Sequence, residues 1–97
     1  MTFGNHGNRS FTATSIDRNA PAASGVYGLA DSRQWIYVGE AADIHAELRR
    51  ILHNPSSQLG PHAPSGFTFE LSDVSERAGR RNQLLAELNP VANRKRD

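Results

Sequence analysis

The sequence predicts a single small domain of the α/β (α+β) class. Two β-rich segments are typical of a hairpin, an amphipathic helix follows them, and a third strand leads into a second helix. A chain of 97 residues is long enough for one domain with a thin core. Its content of 37% hydrophobic and 22% charged residues is typical of a globular protein rather than a disordered one.

The hairpin is predicted from residues 25–29 and 34–38, which are β-rich and are separated by four residues. Alternation assigns neighbouring side chains of the second strand to opposite faces, with Trp35 and Tyr37 on one face and Ile36 and Val38 on the other. Since both faces are apolar, we expect a sheet that is covered on each side. Gly39 is expected to end the second strand.

The first helix is predicted to begin after Asp43, a favourable N-cap, and to continue to about Leu52. Its apolar side chains recur at helical spacing on one face: Ile44, Leu48, Ile51 and Leu52. Residues 54–66 are rich in proline and glycine and are predicted to form a loop. The alternation over residues 67–71 predicts the third strand.

The second helix is predicted to open with a capping box at residues 73–76 and to end near residue 88 or 89, ahead of Pro90. It completes a domain that we expect to span residues 21–93, followed by a basic tail at 94–97.

The N-terminal segment lacks sustained periodicity, so residues 1–20 are expected to form a partly mobile arm. Within it, Phe11 and Ile16 are expected to pin residues 11–16 against the domain.

Composition excludes several protein classes. No apolar segment approaches the roughly 20 residues of a transmembrane helix, so we expect no membrane partner. The first residues show neither the basic nor the apolar region of a secretory signal. With 0 cysteines, a disulfide framework and a thiolate zinc site are excluded. We therefore expect a cytoplasmic protein.

The formal net charge of +1 conceals an asymmetry along the chain. Residues 1–76 carry five arginines against eight acidic residues, a net charge of −3, whereas residues 77–97 carry six basic and two acidic residues, a net charge of +4. A basic end suits a polyanionic partner, because each phosphate contact releases counterions. A solvated helix face followed by a basic tail would have the same composition.

Two short motifs lie on the predicted hairpin, Gly25-Val26-Tyr27 and Tyr37-Val38-Gly39. The second motif continues into the first helix as Glu40-Ala41-Ala42-Asp43-Ile44. Near the C-terminal end, the matching residues are Leu84-Leu85, Pro90 and Asn93. In this order and spacing the motifs resemble the GIY-YIG nuclease family over roughly residues 25–93. The resemblance implies a central three-stranded antiparallel sheet flanked by helices and single-metal cleavage of a DNA phosphodiester.

The resemblance also implies five site residues. Tyr27 and Tyr37 match the two motif tyrosines, of which the first lies beside the attacking water in the family, and Asn93 matches the terminal asparagine. Glu47 stands where the family has an arginine on the first helix, and Arg81 stands where it has a metal-binding glutamate on the last helix. The two central charges are exchanged relative to the family pattern.

This exchange removes both electrostatic elements of such a site, because the Arg81 guanidinium has no lone pair for a metal and the Glu47 carboxylate repels a phosphate. Arg81 lies on a helical stripe with Val74, Ala78, Leu85 and Leu88. Because inward-facing charges need partners, we predict that Glu47 and Arg81 form an ion pair in the former catalytic pocket. In the alternative, Glu47 holds the metal and Arg81 takes the phosphate.

Further charged residues are candidates for binding. The predicted phosphate contacts are Arg33, Arg49, Arg50, Arg77, Arg80, Arg94 and Lys95. Glu40, at the mouth of the site, is either a metal ligand or a solvated surface acid. The chain also offers histidines that are either bases and ligands or incidental: His45, His53 and His62.

We therefore expect a nuclease-like domain with a degenerate site, which binds DNA weakly or serves as an accessory domain with little or no cleavage and no cofactor. The alternative is an active endonuclease that uses Mg²⁺ or Mn²⁺ with relocated charges. A third interpretation is a protein-interaction module whose basic end contacts an acidic partner.

Overall fold

Helices and strands alternate along the chain as the α/β (α+β) class predicts. The computed structural model describes residues 9–94, apart from the side chains of residues 56 and 57. The elements in this range are β1 (Arg9–Ser10), α1 (Ala13–Asn19), β2 (Gly25–Ala30), β3 (Trp35–Ala41), α2 (Ile44–His53), α3 (Ser56–Leu59), β4 (Gly66–Leu71), α4 (Arg77–Leu88) and a 3-10 helix (Val91–Asn93).

The four strands form one antiparallel sheet in the order β1-β4-β2-β3. Three of the strands were predicted, and among them β2 lies between β3 and β4. The fourth strand, β1, was not predicted, and its Arg9 and Ser10 pair with Phe67 and Gly66. A strand of two residues is too short for a period-two signal, which is why the sequence did not reveal it.

The segment of residues 9–20, which the sequence analysis assigned to a partly mobile arm, forms β1 and α1 in the structure. Ile16 is fully buried and Phe11 is 9% exposed, so both contact the core as expected. Helix α1 buries one residue only, which is too few to produce helical periodicity. The start of the arm, 1–8, and the tail residues 95–97 lie outside the described residues, so their character stays a prediction.

A β-bulge changes the predicted alternation on β3. Leu29 pairs with Tyr37 and Ala30 pairs with Trp35, which leaves Ile36 as the extra residue of the bulge. Ile36 and Tyr37 therefore both pack with the core formed by α1 and α2, whereas Trp35 packs on the opposite side with α4. The prediction that Trp35 and Tyr37 share a face was wrong, because alternation holds only where the strand ladder is regular.

Both faces of the sheet are covered, as the two-sided apolar strands predicted. Helix α2 begins after Asp43, whose side chain accepts a hydrogen bond from the Ala46 N–H at 2.9 Å, as expected for an N-cap. Its buried side chains Ile44, Leu48 and Ile51 cover one face of the sheet. Within residues 9–94, no helix has the length and apolarity needed to span a bilayer.

Two predicted boundaries differ from the structure. The one-turn helix α3 lies inside the segment predicted as a loop. Helix α4 begins at Arg77 instead of residue 73, because Asp73 accepts hydrogen bonds from the Ser75 N–H (3.1 Å) and hydroxyl (2.7 Å) and forms a turn. Val74 consequently lies outside the helix and is 72% exposed, so the predicted apolar stripe does not exist there, and Leu84 is the buried residue of α4.

Candidate active site

The two motif tyrosines lie side by side on β2 and β3, with ring centroids 6.1 Å apart and an angle of 36° between the ring planes. Tyr27 is 1% exposed, whereas Tyr37 is half-buried. Gly39 pairs with Tyr27 in the sheet, and a Cβ at Gly39 would lie 2.6 Å from the Tyr27 hydroxyl oxygen. Any larger residue at position 39 would therefore collide with the Tyr27 side chain. Gly39 does not end β3 as predicted, since the strand continues to Ala41.

Glu47 links Tyr27 to the surface of α2. The Tyr27 hydroxyl donates to Glu47 Oε2 at 3.3 Å. Arg50, one turn further along α2, binds both carboxylate oxygens, with Nε 3.2 Å from Oε1 and Nη2 2.5 Å from Oε2. Burial, followed by the nearby Tyr37 and Glu47, raises the pKa of Tyr27 well above its ordinary value. The phenol therefore stays protonated at physiological pH and acts as a hydrogen-bond donor to Glu47.

A second cluster forms where the end of β3 meets the start of α4. Glu40 is shared by two arginines, with Arg77 Nε 2.9 Å from Oε1 and Arg81 Nη1 2.9 Å from Oε2. Arg77 also donates to the Ser24 hydroxyl at 2.9 Å. The Glu40 side chain is 24% exposed. It is thus not the solvated surface acid of one expectation, and both of its oxygens are engaged by guanidinium groups.

The predicted ion pair between Glu47 and Arg81 was wrong. Each charge has another partner, Arg50 for Glu47 and Glu40 for Arg81, and no ion pair joins the two within residues 9–94. The reason is local reach, because Arg50 is one turn from Glu47 on the same helix and Glu40 faces α4 from the adjacent strand.

Charged residues of both clusters influence the pKa of Tyr37. Burial and the negative charge of Glu47 raise the pKa of Tyr37, while Tyr27, Arg50 and Arg81 act in the opposite direction, and the net shift is upward. Glu47 and Arg81 therefore shift the pKa of the same tyrosine in opposite directions, although they do not bind each other.

Asn93 is bound to the backbone of β3. Its Oδ1 accepts from the Val38 N–H at 2.7 Å and its Nδ2 donates to the Val38 carbonyl at 3.0 Å. The 3-10 helix after Pro90 positions this side chain against the edge strand. Both ends of the amide are thus used in holding the strand that carries Tyr37.

Most of the predicted phosphate contacts are engaged in ion pairs within the protein. Arg80 binds Glu70 through two bonds of 2.8 and 2.9 Å, and Arg49 binds Asp17 at 2.7 Å together with His45. Two further predicted contacts, Arg33 at the hairpin tip and Arg94 after the 3-10 helix, are exposed, while Lys95 lies outside the described residues.

Some of these ion pairs join residues that are close in the sequence, and others join residues that are far apart. The spacing of three residues between Glu47 and Arg50 on a predicted helix would have revealed their pair. Nothing local to Glu40 could have indicated its contact with Arg77, which lies 37 positions away. His45 pairs with Asp17. In the described range, neither His53 nor His62 forms an ion pair with Glu47 or with Glu40.

Comparison with solved structures shows which known domain shares this architecture. The GIY-YIG N-terminal endonuclease domain of UvrC from Thermotoga maritima, bound to magnesium, is similar with a TM-score of 0.68 and 20% sequence identity, over 81% of this chain and 96% of that one. The chain has the GIY-YIG fold. Two point mutants of the same domain, each bound to the catalytic divalent cation, are similar with TM-scores of 0.69 and 0.66 at 19% and 21% identity, over 82% of this chain and 96% of theirs. No protein-family model matches the sequence, and no curated protein does.

The magnesium of the UvrC domain raises the question of whether this GIY-YIG domain offers a comparable set of ligands. Mg²⁺ takes oxygen ligands and is usually held by one or two carboxylates together with water. Here Glu40 and Glu47 are both bound by arginines, Asn93 is bound to Val38, and residues 9–94, side chains 56 and 57 excepted, contain no cluster of three or more His, Asp or Glu. As arranged in this structure, each oxygen of both carboxylates has a guanidinium partner, so neither carboxylate fits a divalent cation unless an arginine is displaced.

Proposed function

We propose that this GIY-YIG domain binds DNA without metal-dependent cleavage, as a nuclease-like binding or accessory domain. One observation carries the proposal: the carboxylates of the two clusters, Glu40 and Glu47, are both paired with guanidinium groups. A cation would have to displace an arginine from a partly buried pair, which leaves that arginine without its partner at a cost in free energy.

DNA is the proposed ligand for two reasons. The similar solved structures are endonuclease domains, and the chain from residue 77 onward carries a net charge of +4. Positively charged side chains gain affinity for phosphates through counterion release.

The test combines binding and cleavage on the same protein. Fluorescence anisotropy with a labelled DNA duplex in EDTA is expected to show binding that weakens steeply as salt is raised. Incubation with supercoiled plasmid and Mg²⁺ or Mn²⁺ is expected to produce no nicking. Nicking by the wild-type protein that disappears in Tyr27→Phe would overturn the proposal. A folded protein without affinity for DNA would instead support the protein-interaction module.

The contact of Tyr27 with Glu47 favours one second candidate, an endonuclease with relocated charges. A carboxylate 3.3 Å from a phenol can accept a proton, and Arg50 beside it is a cation placed to face a phosphate. In that case plasmid nicking would be present and would be lost in both Glu47→Gln and Arg50→Gln. In the proposed function neither substitution changes a nicking activity, because there is none.

A further inference from the structure

Around the site, some arginines have a carboxylate of their own, but two arginines share Glu40. Arg50 is matched by Glu47, and Arg80 is matched by both oxygens of Glu70. At the junction of β3 and α4, by contrast, Arg77 and Arg81 share the single carboxylate of Glu40. This junction therefore holds one positive charge in excess, in surroundings where its side chains are only 19% to 35% exposed.

The hydrogen bonds of the two guanidinium groups leave donors available. A guanidinium has five N–H donors. Arg77 uses Nε on Glu40 and Nη1 on Ser24, and its Nη2 has no hydrogen bond within the described residues. Arg81 forms an ion pair with Glu40 through Nη1 and donates to the neighbouring Asn82 through Nε and Nη2, at 3.3 and 3.1 Å. With five N–H groups against these three contacts, Arg81 also retains donors, and it is the more exposed of the two.

We propose that Arg77, Glu40 and Arg81 form a phosphate-binding cluster that holds a backbone phosphate of DNA directly, with no metal ion between them. This inference rests on the proposed function and assigns its main contact. The phosphate supplies the negative charge that the cluster lacks, and the planar guanidinium fork matches two phosphate oxygens. Glu40 orients both arginines, so less side-chain freedom is lost when the phosphate binds.

The ion pairs also distinguish Arg80 from Arg81, which the sequence analysis did not separate as candidate phosphate contacts. Arg80 is adjacent to Arg81 on α4, yet its charge is already matched by Glu70 through two short bonds. A phosphate at Arg80 would have to compete with that carboxylate, whereas a phosphate at Arg81 would not displace Glu40. The structure thus assigns the phosphate contact to Arg81 and Arg77, and excludes Arg80 from it.

Arg81→Gln and Arg80→Gln make a matched pair of variants, because each removes one positive charge from the same helix. Affinity for a short fluorescein-labelled DNA duplex is measured by anisotropy in EDTA over a range of salt concentrations. Arg81→Gln is expected to weaken binding about tenfold and to lower the slope of log affinity against log salt by about 1, whereas Arg80→Gln is expected to change affinity by about twofold or less. Arg81→Lys is expected to recover part of the loss, since it keeps the charge but not the fork.

Glu40→Gln adds a result that a merely structural role would not produce. It keeps an acceptor for a guanidinium and removes the competing charge, so binding is expected to tighten by about threefold. Circular dichroism confirms that each variant is folded. If the folded wild-type protein binds no duplex, the proposed function fails and this inference fails with it. If the wild-type protein binds but Arg81→Gln and Arg80→Gln weaken it equally, or if binding requires Mg²⁺, this inference alone is overturned.

Discussion

The side-chain amide of Asn93 pairs with the backbone of Val38 as a neighbouring β-strand would. It accepts from the N–H at 2.7 Å and donates to the carbonyl at 3.0 Å. Because β3 is the edge of the sheet in the described range, these two backbone groups have no strand of residues 9–94 beside them. Asn93 therefore holds the part of β3 next to Tyr37, which gives a residue of the family pattern a positioning role in this chain.

This pairing predicts a cost for Asn93→Asp, because a carboxylate cannot donate to the Val38 carbonyl. We expect a loss of about 2 kcal/mol in the free energy of unfolding at neutral pH, measured by urea denaturation. The loss should become smaller in acid, where the introduced carboxyl is protonated and donates again. Asn82→Asp, the same change on an exposed residue beside Arg81, should alter stability by about 0.5 kcal/mol or less. Equal losses in the two variants would contradict the pairing.

The close approach of Tyr27 to Gly39 predicts opposite effects for two Gly→Ala substitutions. Gly39→Ala places a methyl group 2.6 Å from the Tyr27 hydroxyl, and we expect it to destabilise the protein by about 1 to 3 kcal/mol. Gly79→Ala, in the interior of α4 with no atom within 4 Å of the added Cβ, should stabilise by about 0.5 to 1 kcal/mol. Thermal unfolding measures both, and a neutral Gly39→Ala would show that the tyrosine does not occupy this space.

The influence of both charge clusters on Tyr37 can be tested by titration. The chain has 2 tyrosines, so in a Tyr27→Phe background the absorbance of tyrosinate reports on Tyr37 alone. Glu47→Gln removes a negative charge that favours the protonated phenol, and the pKa of Tyr37 should fall. Arg81→Gln removes a positive charge that favours the phenolate, and the pKa should rise. Shifts in the same direction for both variants would show that Tyr37 is not influenced from two sides.

The buried Tyr27 predicts a loss of stability in alkali. Burial raises the pKa of Tyr27 above its ordinary value of 10.0, so the unfolded chain releases this proton at a lower pH than the folded protein does. Above about pH 10 the folded state binds more protons than the unfolded state, and the free energy of unfolding must decrease as pH rises. Urea denaturation is measured from about pH 8 upward, because tyrosine titrates near pH 10. The free energy of unfolding should decrease more steeply with pH for wild type than for Tyr27→Phe. Parallel curves would contradict the assignment.

The elements with strong local signals could be predicted from the sequence, and those with weak signals could not. The hairpin consists of two β-rich segments, and α2 with its Asp43 cap and β4 have regular periodicity over several residues. By contrast, β1 has two residues and α1 buries one, so neither repeats often enough to produce a pattern. The bulge at Ile36 reversed a predicted face because one extra residue shifts the alternation of a strand.

The sequence alone determined the framework of the site, and the tertiary structure decided its chemistry. Strand and turn preferences are local, so the motifs around Tyr27 and Tyr37 were sufficient to place both tyrosines on adjacent strands of a hairpin. Which arginine binds which carboxylate depends on where the tips of long side chains meet after folding. Glu40 contacts Arg77 and Arg81 only because α4 packs against β3, and Glu47 is bound by Arg50, one turn away on the same helix. The charged residues were visible in the sequence, but ion-pair partners are a property of three-dimensional packing.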